Sequence, residues 1–99
     1  MIKNKIVIND IINHKQGSRF VLEVEGEDVY LLYAEDNETI DLYSTHTPIS
    51  LRGQGLAKKV VLFAFEYANE KGLNVIPTCW YVKKVLEKHS EYQHLVKNN

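Results

Sequence analysis

The chain has 99 residues, 44% of them hydrophobic and 25% charged, with a formal net charge of -1. That length buries one core and excludes a doubly wound dinucleotide domain with a substrate domain beside it, so a single domain over residues 1–99 is expected. Near-balanced charge gives no general attraction to nucleic acid or to an anionic membrane, and any anion must be bound locally.

Taken in chain order, residues 5–12 are rich in isoleucine and read as an edge strand interrupted by Asn9 and Asp10. Between Arg19 and Val24, the residues Phe20, Leu22 and Val24 alternate with Arg19, Val21 and Glu23, the period of a strand with one buried face. Residues 25–28, Glu-Gly-Glu-Asp, read as a turn. Residues 29–34 are apolar on both faces, which suits a central strand, and residues 35–38 bound it with polar side chains. A third strand runs from residue 39 to about residue 47 and stops at Pro48. Short polar turns between three such strands make an antiparallel meander.

A helix follows from about residue 54 to residue 71, with Leu56, Val60, Phe63, Ala64 and Tyr67 on one face and Val61, Leu62, Phe65 and Ala68 widening it. A face that broad belongs against a sheet. Gly72 suits a left-handed C-cap, and Lys71 suits the negative end of the helix dipole. Residues 74–77 form a short β-branched strand, reached by a right-handed crossover and therefore parallel to the third strand. A second helix is expected over residues 81–89, with Val82, Val85 and Leu86 inward. The fold class is α+β: a mostly antiparallel sheet with one parallel strand pair, a long helix packed on it and a short C-terminal helix.

The run Leu51-Arg52-Gly53-Gln54-Gly55-Leu56-Ala57-Lys58-Lys59 opens the long helix without a side chain suited to cap it. A helix start leaves its first amides unpaired, and Ser, Thr, Asp or Asn usually accepts from them. Here those places hold Gly53, Gln54 and Gly55. Small residues, bare amides, the helix dipole and flanking Arg52, Lys58 and Lys59 all favour a phosphate there. The alternative is a loop that needs glycine only for its turn and leaves its amides to water. A P-loop is excluded, because Leu56 and Ala57 follow Gly55 where Lys and Ser or Thr are required. A dinucleotide fingerprint is also unmet, since no acidic residue stands about 20 positions on.

The two parallel strands end beside this loop, and ligands collect at the carboxyl ends of strands in open α/β sheets. Thr47 and Cys79 lie at that edge. Cys79 is the only cysteine, so an internal disulfide is excluded and a reducing, cytoplasmic compartment is expected. No run of about 18 apolar residues and no charged leader with an apolar run is present, so neither export nor a membrane span is expected.

Arg52, Gly55 and Ala57 satisfy, in order, the acetyl-CoA signature of the GNAT N-acetyltransferase superfamily, and they stand between a strand and a long helix as in that family. Together with Pro77-Thr78-Cys79, the aromatic pair after it, Lys88-His89 and Glu91-Tyr92, they make residues 19–96 similar to the small single-domain GNAT-like proteins. The resemblance implies a minimal GNAT-like fold with acetyl-CoA as donor. It implies that the amides of Gly53, Gln54, Gly55, Leu56, Ala57 and Lys58 wrap the CoA pyrophosphate, with Arg52 beside them. It also implies that the strand end at Thr45 and Thr47 meets the pantetheine through its backbone. Larger members carry extra helices and strands around the acceptor, for which this chain has no room. Many place a tyrosine in the last helix, about where Leu86 stands, and the small subfamily usually has proline where Trp80 follows the cysteine.

Cys79 near the thioester is either an acceptor of the acetyl group or a proton donor to the leaving thiolate, against the alternative of a small buried hydrophobe. His46 beside the acetyl position, and His89 with Tyr92, are weighed as catalysts and set against a strand-end residue and a C-terminal packing motif. Lys83 and Lys84 are weighed as contacts to a CoA phosphate against a solvated helix face. His14, His46, His89 and His94 lack metal-ligand spacing with one another or with Cys79, so no metal is expected. The leading function is an acetyl-CoA-dependent N-acetyltransferase acting on a protein lysine or small amine. A non-catalytic acyl-CoA-binding or sensor module is the alternative. A nucleic-acid-binding domain is disfavoured by the charge. The sequence gives no oligomeric state, and a monomer is compatible with it.

Overall fold

A computed structural model describes residues 10–96. Five strands form one sheet in the order β1-β2-β3-β4-β5: β1 (Ile12–His14), β2 (Arg19–Val24), β3 (Glu27–Glu35), β4 (Thr39–His46) and β5 (Asn74–Ile76). The first four pair antiparallel and β5 pairs parallel to β4. The expected edge strand over residues 5–12 is displaced. Its residues 5–9 lie outside the described residues, and pairing begins at Ile12, opposite Val21. Ile11 is buried in the core while Ile12 faces out, so this edge contributes one side chain to the core before the ladder starts.

The turn between β2 and β3 is tighter than residues 25–28. Glu25 and Gly26 both take left-handed backbone angles, φ 54° and 80°, and join the strands by a two-residue hairpin, so Glu27 and Asp28 already belong to β3. At the next turn one Asp36 carboxylate oxygen accepts from the amides of Glu38 (2.8 Å) and Thr39 (2.7 Å). Those bonds, the one from Glu38 first, hold its carboxyl below the usual range. β3 is central as expected, but only one face is sealed: Val29, Leu31 and Tyr33 are buried, while Tyr30 and Leu32 opposite are half-buried.

The long helix α1 (Leu56–Lys71) crosses the sealed face and contacts β2, β3, β4 and β5. Its buried stripe is Leu56, Val60, Val61, Ala64, Phe65 and Ala68. This is turned from the expected face, because Phe63 and Tyr67 pack from the side on the wholly buried Phe20, their rings 5.7 and 5.3 Å from its ring. The second helix α2 (Trp80–Glu87) starts one residue earlier and ends two earlier than expected, with Cys79 as its N-cap residue. It buries Val82, Val85 and Leu86 and contacts α1 and β4.

A 3-10 turn at Ser90–Leu95 closes the chain over both helices. Tyr92 donates its hydroxyl to Glu66 on α1, the Gln93 amide donates to the Leu86 carbonyl (2.7 Å), and Asn74 donates to the Leu95 carbonyl (3.1 Å). Tyr92 therefore works as a packing clasp. Burial, and then the hydrogen bond to Glu66, push its hydroxyl up to about 12.

Candidate functional site

β4 changes character along its length. Ile40 and Asp41 pair with β3 on one side and β5 on the other, and β5 stops at the pair Asp41 and Ile76. One further bond, from the Cys79 amide to the Leu42 carbonyl (3.0 Å), ties the chain before it leaves as α2. On the other side Leu42 opposes Tyr33 and Ser44 opposes Leu32, so Tyr43 is an extra residue and the strand bends there. Beyond that bulge, Ser44, Thr45 and His46 pair only with β3 among the described residues. Their free edge faces the start of α2.

The connection to α1 returns along this edge. A 3-10 turn at Ile49–Leu51 buries Leu51, and the Arg52 Nε donates to the Thr47 carbonyl at 3.1 Å, closing the loop at its base. Gly53 and Gly55 have φ of 83° and 75°, a region that side chains rarely enter. A Cβ built on either would meet nothing within 4 Å, so open space lies before both. The left-handed angle at Gly55 is also why α1 begins at Leu56 and not at residue 54. Gly55 is the N-cap residue, with no side-chain hydrogen bond, and the first bond of the helix ladder runs from Lys59 to the Gly55 carbonyl (3.3 Å). The amides of Leu56, Ala57 and Lys58 stand ahead of that ladder.

Between the loop and α2 lies a groove of about 420 Å³, lined by Thr45, Thr47, Leu51, Arg52, Gly53, Gly55, Leu56, Ala57, Trp80 and Tyr81. Seven of the nine residues expected to hold the cofactor line it: Thr45, Thr47, Arg52, Gly53, Gly55, Leu56 and Ala57. Gln54 is exposed at the turn and is not part of the lining. Lys58 faces a smaller neighbouring pocket with Tyr81, Lys84, Val85, Lys88 and His89. Cys79 stands behind the groove wall, 8% exposed, its Sγ 3.7 Å from the Thr45 Oγ1.

Trp80 and Tyr81 were not among the expected site residues, although an aromatic pair directly after the lone cysteine was the available signal. Trp80 is 70% exposed, and Tyr81 packs edge-on against it with ring centroids 5.7 Å apart. Burial pushes the Tyr81 hydroxyl up, so it keeps its proton at neutral pH. His46 is not in the groove lining. It is exposed and stacks on Tyr30 (5.0 Å), over which Arg19 lies in turn (5.2 Å). His89 bonds Glu91 at 3.4 Å and lines the smaller pocket. Lys83 is exposed, and Lys84 rests over the Trp80 ring at 5.8 Å. Among the described residues no group of three or more His, Cys, Asp or Glu could hold a metal ion, and no helix is long and apolar enough to cross a membrane.

A meander, a crossover helix with a bare glycine start, and a strand pair that parts beside it make the arrangement that the sequence resemblance implied. The family model described as GCN5-related N-acetyl-transferase matches residues 19–95, and the chain belongs to that family. Protein NATD1 of Danio rerio is 30% identical over 84 residues, covering 82% of this chain and 76% of the relative. Protein NATD1 of Mus musculus is 31% identical with the same coverage, and that of Xenopus tropicalis is 34% identical over 58 residues. The latter match takes in 59% of this chain and about half, 53%, of the relative's length.

Proposed function

We propose that this chain is an acetyl-CoA-dependent N-acetyltransferase acting on an exposed primary amine, a protein lysine or a small amine. The observation that carries this reading is the pair of left-handed glycines, Gly53 and Gly55, opening onto the groove before an uncapped helix of 16 residues. The open space before both glycines and the absence of any carboxylate from the lining fit a diphosphate. Bound there, acetyl-CoA supplies an acetyl group activated as a thioester.

The chain's own groups do the rest. The amides of Gly53, Gly55, Leu56 and Ala57 fix the diphosphate, with Arg52 bracing the loop. The free edge of β4 at Thr45, with Thr47 just past the strand's end and its carbonyl shared with Arg52, offers backbone groups to the pantetheine amides, as a sheet edge does for an added strand. In the transfer the amine nitrogen forms a bond to the carbonyl carbon, the carbon–sulfur bond breaks, the amine loses a proton and the thiolate gains one. An amide on the β4 edge stabilises the charge developing on the carbonyl oxygen. The protonated Tyr81 hydroxyl in the wall is the chain's proton donor for the thiolate, and the Cys79 thiol, in contact with the lining residue Thr45, is the candidate acceptor of an acetyl group on the protein itself. Holding thioester and amine together lowers the barrier by up to ~7 to 11 kcal/mol before any acid acts. The reduced Cys79 thiol suits the cytoplasm as the working compartment.

Calorimetry with acetyl-CoA, followed by intact-mass measurement in the presence of a panel of amines and lysine peptides, tests this. Saturable binding and acetylated acceptor are expected, and absence of binding overturns the reading. In that assay Tyr81→Phe lowers kcat by roughly a hundredfold with donor affinity kept. Cys79→Ala abolishes any acetyl label on the protein itself. One observation favours the second reading, a binding module: Leu86, at the place of the helix tyrosine, is buried in the core with Val82 and Val85. Tight binding without acetylation of any acceptor or of Cys79 is its signature.

A further inference from the structure

Along its second half α1 borders a cavity of about 550 Å³, larger than the groove at its start, lined by Leu62, Phe63, Glu66, Tyr67, Glu70 and Tyr92. Tyr67 also lines a cavity of about 350 Å³ at the β3–β4 turn, which adds Lys15, Glu35 and Asp36, so the two form one trough. None of these residues lines the groove beside Gly53 and Gly55. The trough has an apolar floor: Leu62 and the rings of Phe63, Tyr67 and Tyr92 are half-buried, the rings resting on the wholly buried Phe20 and Phe65. Its charge is one-sided. In the two linings the carboxylates of Glu35, Asp36, Glu66 and Glu70 stand against the ammonium of Lys15 alone. Helix stability does not account for the last two, because carboxylates late in a helix oppose its dipole and like charges four residues apart repel. Glu66 accepts from Tyr92, while Glu70 is exposed and in no salt bridge among the described residues.

We infer that this trough docks a segment of a partner protein that carries lysine or arginine among large apolar residues. Apolar side chains fill the cavity against the rings, and cations meet the carboxylates at its rim and the ring faces beside them. The chain's own Lys71 already holds its ammonium 5.5 Å over the Tyr67 ring, the placement an incoming cation takes. Two joined cavities suit a polypeptide that presents several side chains in succession. The carboxylates repel an acidic segment. This surface is separate from the groove, and the inference does not depend on what the groove binds or on whether the docked segment is acetylated.

Fluorescence anisotropy of the intact chain with a labelled peptide that alternates lysine with leucine and serine, and with its analogue carrying glutamine for lysine, decides this. The lysine peptide is expected to bind at least ~10-fold more tightly, a preference that shrinks with salt. Glu66→Gln with Glu70→Gln, which keeps an acceptor for Tyr92, is expected to remove that preference, and Leu62→Ser to cost about 5-fold in affinity for both peptides. Glu23→Gln with Asp28→Asn takes the same charge from the β2–β3 hairpin and is expected to change nothing. Equal affinity of the two peptides for the unaltered chain, or an equal loss in the two double variants, overturns the inference. So does a dimer in sedimentation velocity that dissociates in the Glu66 and Glu70 variant, which assigns the trough to a second copy. A circular dichroism melt of each variant separates lost affinity from lost fold.

Discussion

At its C-terminal end α1 is finished by its own chain. Gly72 turns left-handed at φ 71°, its amide donates to the Asn69 carbonyl (3.3 Å), the Leu73 amide donates to the Ala68 carbonyl (2.9 Å), and Leu73 is buried. This is a Schellman closure. The N-terminal end has a glycine with nearly the same angle, φ 75° at Gly55, but among the described residues no oxygen returns to its amides, and the space before it is open. The same residue type thus ends the helix for the protein's own stability at one end and leaves it unfinished at the other. The proposed cradle belongs to the second.

Substitution at the two glycines breaks the comparison if it is wrong. Gly55→Asp is expected to cost at least ~100-fold in acetyl-CoA affinity by calorimetry, because a carboxylate faces the diphosphate. Its effect on the melting temperature is expected to be small, since an N-cap oxygen worth about 0.5 to 2 kcal/mol offsets a left-handed backbone cost of about 1 to 2 kcal/mol. Unaltered affinity in this variant removes the cradle. Gly72→Ala reverses the pattern: a loss of about 1 kcal/mol in stability, seen as a fall in melting temperature of about 4 to 8 °C, with donor affinity unchanged.

The smallest effect is a pH dependence confined to the closed end. Tyr92, bonded to Glu66, and Tyr67, bonded to Glu35, have hydroxyls pushed from 10.0 up to about 12 by burial first and by the carboxylate partner next. A raised folded-state value favours the protonated phenol. The stability it contributes is complete below pH 10 and is lost as pH rises toward 12. Melting curves of Tyr92→Phe are expected to fall less steeply over that range than those of the unaltered chain.

Most of the scaffold was legible because it obeys local rules. Alternation gave β2 its bounds at Arg19 and Val24, and Gly72 with Lys71 marked the end of α1. What escaped depends on partners distant in sequence. The bulge at Tyr43 exists only in the register between β3 and β4, and the displaced first strand depends on which isoleucine, 11 or 12, faces the core. Of the groove lining, the glycine loop and Thr47 were readable from residue type and spacing, and Thr45 only through the resemblance. The wall made by Trp80 and Tyr81 was not, because helix periodicity assigns their side chains no cavity until α2 is placed against β4. Lys58 was assigned to the cradle as an amide, and only the approach of α2 shows where its side chain goes.

Trp80 is the sole tryptophan in the chain and stands in the groove wall, largely open to solvent. Its indole emission therefore comes from one place only. Any molecule that fills the groove changes the polarity around that ring, so occupancy can be followed by intrinsic fluorescence at micromolar protein without a label or a coupled assay.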